Sequence, residues 1–176
     1  MKSTTPLSRR LDRVALLGAC CLFLSSIEYI LPKPIPFLRI GIANLPILIA
    51  LDLLSPPLVL LVVALKVAGQ ALLSGTLFSY VFLFSLVGSA ASGLSMILLR
   101  TLFAKRMSLV GIGVLGAFAS NSVQLILARF LIFGEGAWLI APPFLALGTV
   151  SAAVLGFFAE RFSETSRWVR AAREEG

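Results

Sequence analysis

The chain has 176 residues, 59% hydrophobic and 13% charged, with a mean hydropathy of +1.01 and a formal net charge of +7. A soluble domain carries about 25% charged residues, so an ordinary soluble fold is excluded. There is no His, which excludes a His-based metal site or catalytic triad, and the apolar runs lack the two-residue alternation of a transmembrane barrel.

Met1 to Asp12 is a polar, basic tail carrying Lys2, Arg9 and Arg10. The apolar run that follows predicts a first helix over about residues 13–31, long enough to span a bilayer. It is not read as a secretory signal, because no Ala-x-Ala cleavage site follows and further apolar runs do. Cys20 and Cys21 are neighbours in this helix, point in different directions, and read as packing. Ala15 and Ala19 are small residues four apart, with Gly18 beside them, and permit close helix approach. That approach is either packing within the chain or docking to a partner.

The segment Pro32-Lys33-Pro34-Ile35-Pro36 predicts an extended, stiff loop. A second helix over about 39–54 carries Asn44, and Pro56-Pro57 forces the turn into a third over about 57–75. Lys66 lies near the middle of that third run, where a lysine costs roughly 2.5–3.5 kcal/mol on insertion scales. Gln70 is one turn away on the same face. A fourth helix over about 78–103 carries small pairs, Gly88 with Ser92 and Ser89 with Gly93. A fifth over about 109–133 carries Gly116, Ser120, Asn121, Gln124 and Arg129. The sixth, over about 138–162, has Gly148, Ala152 and Gly156 on one stripe. From Ser163 the tail is charged and amphipathic, as in a helix lying at the headgroups.

Orientation follows from the bias of Lys and Arg. With six spans, eleven of the fifteen fall on the side of the two termini, three on the other, and Lys66 within the membrane. Both termini are therefore expected in the cytoplasm. The positive charge reflects topology and anionic lipid rather than nucleic acid, for which no motif is present. On this topology Glu28, Arg39, Asn44, Lys66, Gln70, Asn121, Gln124 and Arg129 occupy the middle or the outer half of the bundle. They predict a polar cavity open to the outside, binding a small molecule. Each has a plainer reading. Glu28 and Arg39 could pair at the interface, Asn121 and Gln124 could be interhelical hydrogen bonds, and Arg129 could snorkel.

There is no GxxxxGK[ST] motif for ATP hydrolysis and no Asp-rich Mg²⁺ motif. Glu28 and Asp52 fall on opposite sides, so no carboxylate dyad forms. No metal, no cofactor and no catalysis by this chain are expected.

Four stretches carry a resemblance: Leu24-Ser25-Ser26-Ile27-Glu28, Arg39-Ile40-Gly41-Ile42-Ala43-Asn44, Leu73-Ser74-Gly75-Thr76, and Gly116 through Gln124. Together they resemble the Gx transporter family, also labelled heptaprenyl diphosphate synthase component I and related to the substrate-binding S-components of energy-coupling factor transporters. The likeness covers about residues 13–162. It implies an all-α, six-helix capture subunit of the cytoplasmic membrane that docks, through Ala15 and Ala19, on a coupling protein driven by two ATPases. It implies a vitamin- or cofactor-related ligand near the outer face, with flavin and an isoprenoid or quinone precursor as candidates. The proline loop at Pro32–Pro36 would then be a lid. Two positions depart from the family pattern. Ser120 stands where histidine is usual, and Lys66 where arginine is common, which keeps the charge but loses the planar fork. The family label also implies an alternative, a membrane subunit associated with prenyl diphosphate synthesis. A protein partner of a membrane redox complex is a further one.

Overall fold

The computed structural model describes residues 6–30 and 41–174. The proline loop at Pro32–Pro36 and Arg39 lie outside the described residues. The described chain is helical, without strands. Seven α-helices follow in order: α1 Pro6–Ile30, α2 Leu45–Leu53, α3 Pro56–Leu73, α4 Tyr80–Phe103, α5 Leu109–Ala128, α6 Ala137–Thr165 and α7 Arg167–Glu174. From α2 onward short turns join them, and a π-turn at Arg129–Phe133 ends α5.

Local chemistry explains the boundaries. Pro56 and Pro57 open α3, where the missing N–H groups cost nothing. Ser79 and Ser108 cap α4 and α5, accepting from the backbone N–H of Phe82 and Gly111 at 3.4 and 3.1 Å. Pro142 and Pro143 lie inside α6, which nevertheless runs 29 residues.

The second helix departs from expectation. An apolar run over about 39–54 reads as a span, but the α-helix covers only Leu45–Leu53, preceded by a 3₁₀ turn at Ile42–Asn44. Nine residues rise only about 13.5 Å, less than half the thickness of a hydrocarbon core. All six residues from Pro46 to Leu51 are buried, and α2 touches every other α-helix of the bundle. It is a short central post rather than a peripheral span, and it is apolar all round because it is enclosed all round.

The other helices pack around it. α5 and α6 form the most extensive pair. Their axes approach at Gly156, where an added Cβ would meet the Val110 Cα at 2.6 Å. α1 meets α3 where Leu22 lies over Gly69 and Leu65 over Gly18.

The distribution of polarity is inverted relative to a soluble protein. Phe23, Leu65, Leu94, Phe118, Leu147 and Phe157 are exposed, while Lys66, Asn121 and Gln124 are buried. Such an apolar exterior suits lipid. Three stretches, Pro56–Leu73, Tyr80–Phe103 and Leu109–Thr165, are long and apolar enough to cross a membrane, the last holding both α5 and α6.

The tail is helical as expected, but it does not lie free on the surface. Val169 and Ala172 are buried, and α7 rests on α2 and α6. Asp52 at the end of α2 fastens it. One carboxylate oxygen accepts from Arg100 of α4, the other from Arg173 of α7 at 2.7 Å. Arg100 also donates to the carbonyls of Ala104 and Met107 at 3.1 and 3.3 Å, closing the turn after α4. Asp52→Ala is expected to cost about 2 kcal/mol, the scale of charged hydrogen bonds. It should also free α7, and limited trypsinolysis checks this: cleavage at Arg167, Arg170 and Arg173 should precede loss of the bundle.

Candidate functional site

Six of the eight residues singled out by sequence line one internal cavity: Glu28, Asn44, Lys66, Gln70, Asn121 and Gln124. They come from α1, the turn before α2, α3 and α5. The cavity sits at the N-terminal end of α2, which forms its floor through Leu48.

The turn is built by Gly41. Its φ of 83° is left-handed, a conformation that glycine adopts without steric cost. In that conformation its N–H donates to Glu28 Oε1 at 3.1 Å, which ties α1 to the turn. Three residues on, Asn44 presents Oδ1 to Lys66 Nζ, which donates to it at 2.5 Å. Lys66 is 4% exposed, so its ammonium is held inside the bundle rather than turned to lipid. Glu28 is buried in the same lining, so the cavity contains one charge of each sign.

On the opposite wall, Gln124 Nε2 donates to Ser120 Oγ at 2.8 Å. Its Oε1 is buried and has no hydrogen-bond partner among the described residues. Leaving such an acceptor unmade costs roughly 1–3 kcal/mol, which a donor on a bound molecule or an ordered water would offset. Two glycines make room for these amides. A Cβ at Gly88 would lie 2.4 Å from Gln124 Nε2, and one at Gly148 only 1.8 Å from Asn121 Nδ2. These positions read from spacing as helix-packing stripes. Their additional role is to let α4 and α6 pass over polar side chains. Ser89 and Ser92 of α4 also line the cavity. They too read as packing residues. Their three-residue spacing, one helical turn, was the signal available.

The room is small. Centres of water-sized molecules have about 40 Å³, space for roughly three waters at 10–15 Å³ each. Drug-sized ligands occupy roughly 300–1,000 Å³. The cavity as it stands therefore accepts the polar end of a molecule.

Arg129 is not brought to the cavity. The α-helical ladder ends at Ala128, and the π-turn carries Arg129 to the rim. There Nη2 donates to Glu135 Oε1 at 2.5 Å, and the guanidinium lies over Trp138, 5.5 Å from the ring centroid. A carboxylate and an aromatic face thus hold it. Ala15 and Ala19 are both exposed on α1, and it is Gly18 that packs inward on Leu65.

The lining offers hydrogen bonds and two opposite charges. Among the described residues, no group of three or more His, Cys, Asp or Glu is placed to hold a metal ion.

The family model described as heptaprenyl diphosphate synthase component I matches residues 17–162. The chain belongs to that family. The match contains every cavity-lining residue, whereas Arg10 and α7 lie outside it. No curated protein and no solved structure matches the chain.

Proposed function

We propose that this chain is a polytopic, non-catalytic membrane subunit that captures a small vitamin- or cofactor-related molecule at its outer face, in the manner of an S-component. The observation that carries the reading is the buried polar cavity. A lysine, a glutamate and four amide side chains converge where an apolar exterior would otherwise enclose aliphatic packing. Ionisable groups at such depth are costly and mark ligand or ion sites. Gln124 Oε1 supplies an acceptor awaiting a donor. The exposed Ala15 and Ala19 present a close-approach face to a coupling protein, whose paired ATPases would drive release by rocking the bundle.

Native mass spectrometry of the gently purified full chain tests this. The wild type is expected to retain a small molecule, with occupancy falling about tenfold in Lys66→Ala and in Asn121→Ala, equivalent to about 1.4 kcal/mol. Equal occupancy in the three proteins, or an empty wild type, would sink the assignment.

A second reading comes from the family's description. The chain would be the membrane component of a prenyl diphosphate synthase whose chemistry resides in another subunit. Affinity purification separates the two. Co-purifying ATPases and a coupling protein favour capture, and a soluble prenyl synthase favours the second.

A further inference from the structure

A second cavity opens at the other end of α2. Centres of water-sized molecules have about 420 Å³ there, and its charged lining is Arg10 of α1, Asp52 of α2, Arg100 of α4 and Arg173 of α7. Four helices distant in sequence thus bring three arginines and one aspartate into one cleft. Asp52 is nearly enclosed, with 7% of its side chain exposed, and it holds Arg100 and Arg173 on separate oxygens. Arg10 has no hydrogen bond or ion pair with any described residue. A neighbouring cleft shares Asp52, Arg100 and Arg173 and adds Glu160 and Glu164, the latter 3.7 Å from Arg161. The unbalanced positive charge therefore concentrates on the Arg10 side. Arg100 and Arg173 satisfy the two oxygens of Asp52, and Arg10 is surplus to that arrangement.

We propose that this cleft binds a phosphate group, carried either by an anionic phospholipid headgroup or by a soluble phosphate ester. Guanidinium forks match phosphate oxygens bidentately. Asp52 holds two of the forks in place beforehand, so little side-chain freedom is lost on binding. Leu51, Leu53, Leu54 and Ala104 form apolar walls, which lower the local dielectric and strengthen the attraction. A phosphate has enough oxygens to bridge Arg10 and Arg173, whereas a carboxylate satisfies one fork. Arg10 and Arg173 fall outside the segment that the family model matches, and the proposal does not rest on the capture reading. On the orientation expected from the Lys and Arg bias, this end lies at the inner headgroups, where anionic lipid is available.

Two probes test it on the full chain. Native mass spectrometry from micelles containing equal phosphatidylglycerol and phosphatidylcholine reads lipid retention. Isothermal calorimetry with inorganic pyrophosphate reads a soluble anion. At least one should bind, with phosphatidylglycerol retained about fivefold over phosphatidylcholine or pyrophosphate giving saturable heat. That binding should weaken about tenfold in Arg10→Gln and in Arg173→Gln. Lipid preference without pyrophosphate heat assigns the headgroup, and pyrophosphate heat in lipid-free micelles assigns the soluble ester. Arg10 is exposed and makes no contact that folding needs, so Arg10→Gln keeps the test clean. No lipid preference together with no heat, or wild-type binding by Arg10→Gln, overturns the proposal.

Discussion

Gly156→Ala is expected to destabilise the bundle by about 2–3 kcal/mol, and Gly156→Leu to prevent it from assembling. Propensity alone predicts the opposite sign, since alanine favours a helix over glycine by about 1 kcal/mol. Packing decides otherwise. A Cβ at position 156 would sit 2.6 Å from Val110 Cα, 3.2 Å from Val110 N and 3.3 Å from Leu109 O. All three are backbone atoms of the first turn of α5, which Ser108 caps, so nothing flexible can yield. The helices must part along their most extensive contact, and every small-residue approach along the stripe is lost with it. Gly136→Ala is the control, because nothing lies within 4 Å of a Cβ there, and it should stay within about 0.5 kcal/mol of wild type. Thermal unfolding in detergent micelles reads both. A Gly156→Ala protein as stable as wild type would mean that α5 and α6 are not packed at this distance. Gly148→Ala should behave differently, since the three atoms nearest its Cβ all belong to the amide of Asn121. That side chain can swing aside, so the change should appear in cavity occupancy before it appears in stability.

The contrast between these glycines marks what a sequence can convey. The long helices were legible, because Pro56-Pro57, the basic clusters and the uncharged runs between them punctuate the chain. The spacing of Asn121 and Gln124, and of Lys66 and Gln70, placed each pair on one helical face, and all four line the cavity. The depth of α2 was not legible. An apolar run about sixteen residues long can be a span or a post buried on every side, and both need the same composition. Gly88 and Gly148 were recognised as small but not as the space that an amide requires, because that need arises on another helix. Arg129 follows Asn121 by eight residues, which suggests a shared face, until the π-turn redirects it. The pairing of Asp52 with Arg173 joins residues 121 positions apart, and no local signal anticipates it. These misses depend on which helix lies opposite, which one chain read alone does not contain.

Lys66→Met is expected to cost about 3 kcal/mol, and adding Glu28→Gln to it should recover most of that loss. The single change strips Asn44 Oδ1 of the donor it has at 2.5 Å. It also leaves Glu28, 5% exposed, as a carboxylate in a cavity that has lost its cation. Removing one member of a buried charge pair costs about 3–5 kcal/mol, because the survivor stays desolvated and unbalanced. Removing both is often close to neutral. In the double variant, glutamine can still accept from the Gly41 N–H, which now donates to Glu28 Oε1 at 3.1 Å, so the turn before α2 should survive. A double-mutant cycle isolates the coupling from the individual losses. Denaturation of the four proteins in one detergent should give a coupling of at least about 1 kcal/mol in the stabilising sense. Strict additivity would mean that the two charges do not sense each other across the cavity. With the coupling present, the double variant should fold nearly as well as the wild type yet be unable to hold a ligand. That separation of folding from binding is what a site retained for capture, rather than for stability, requires.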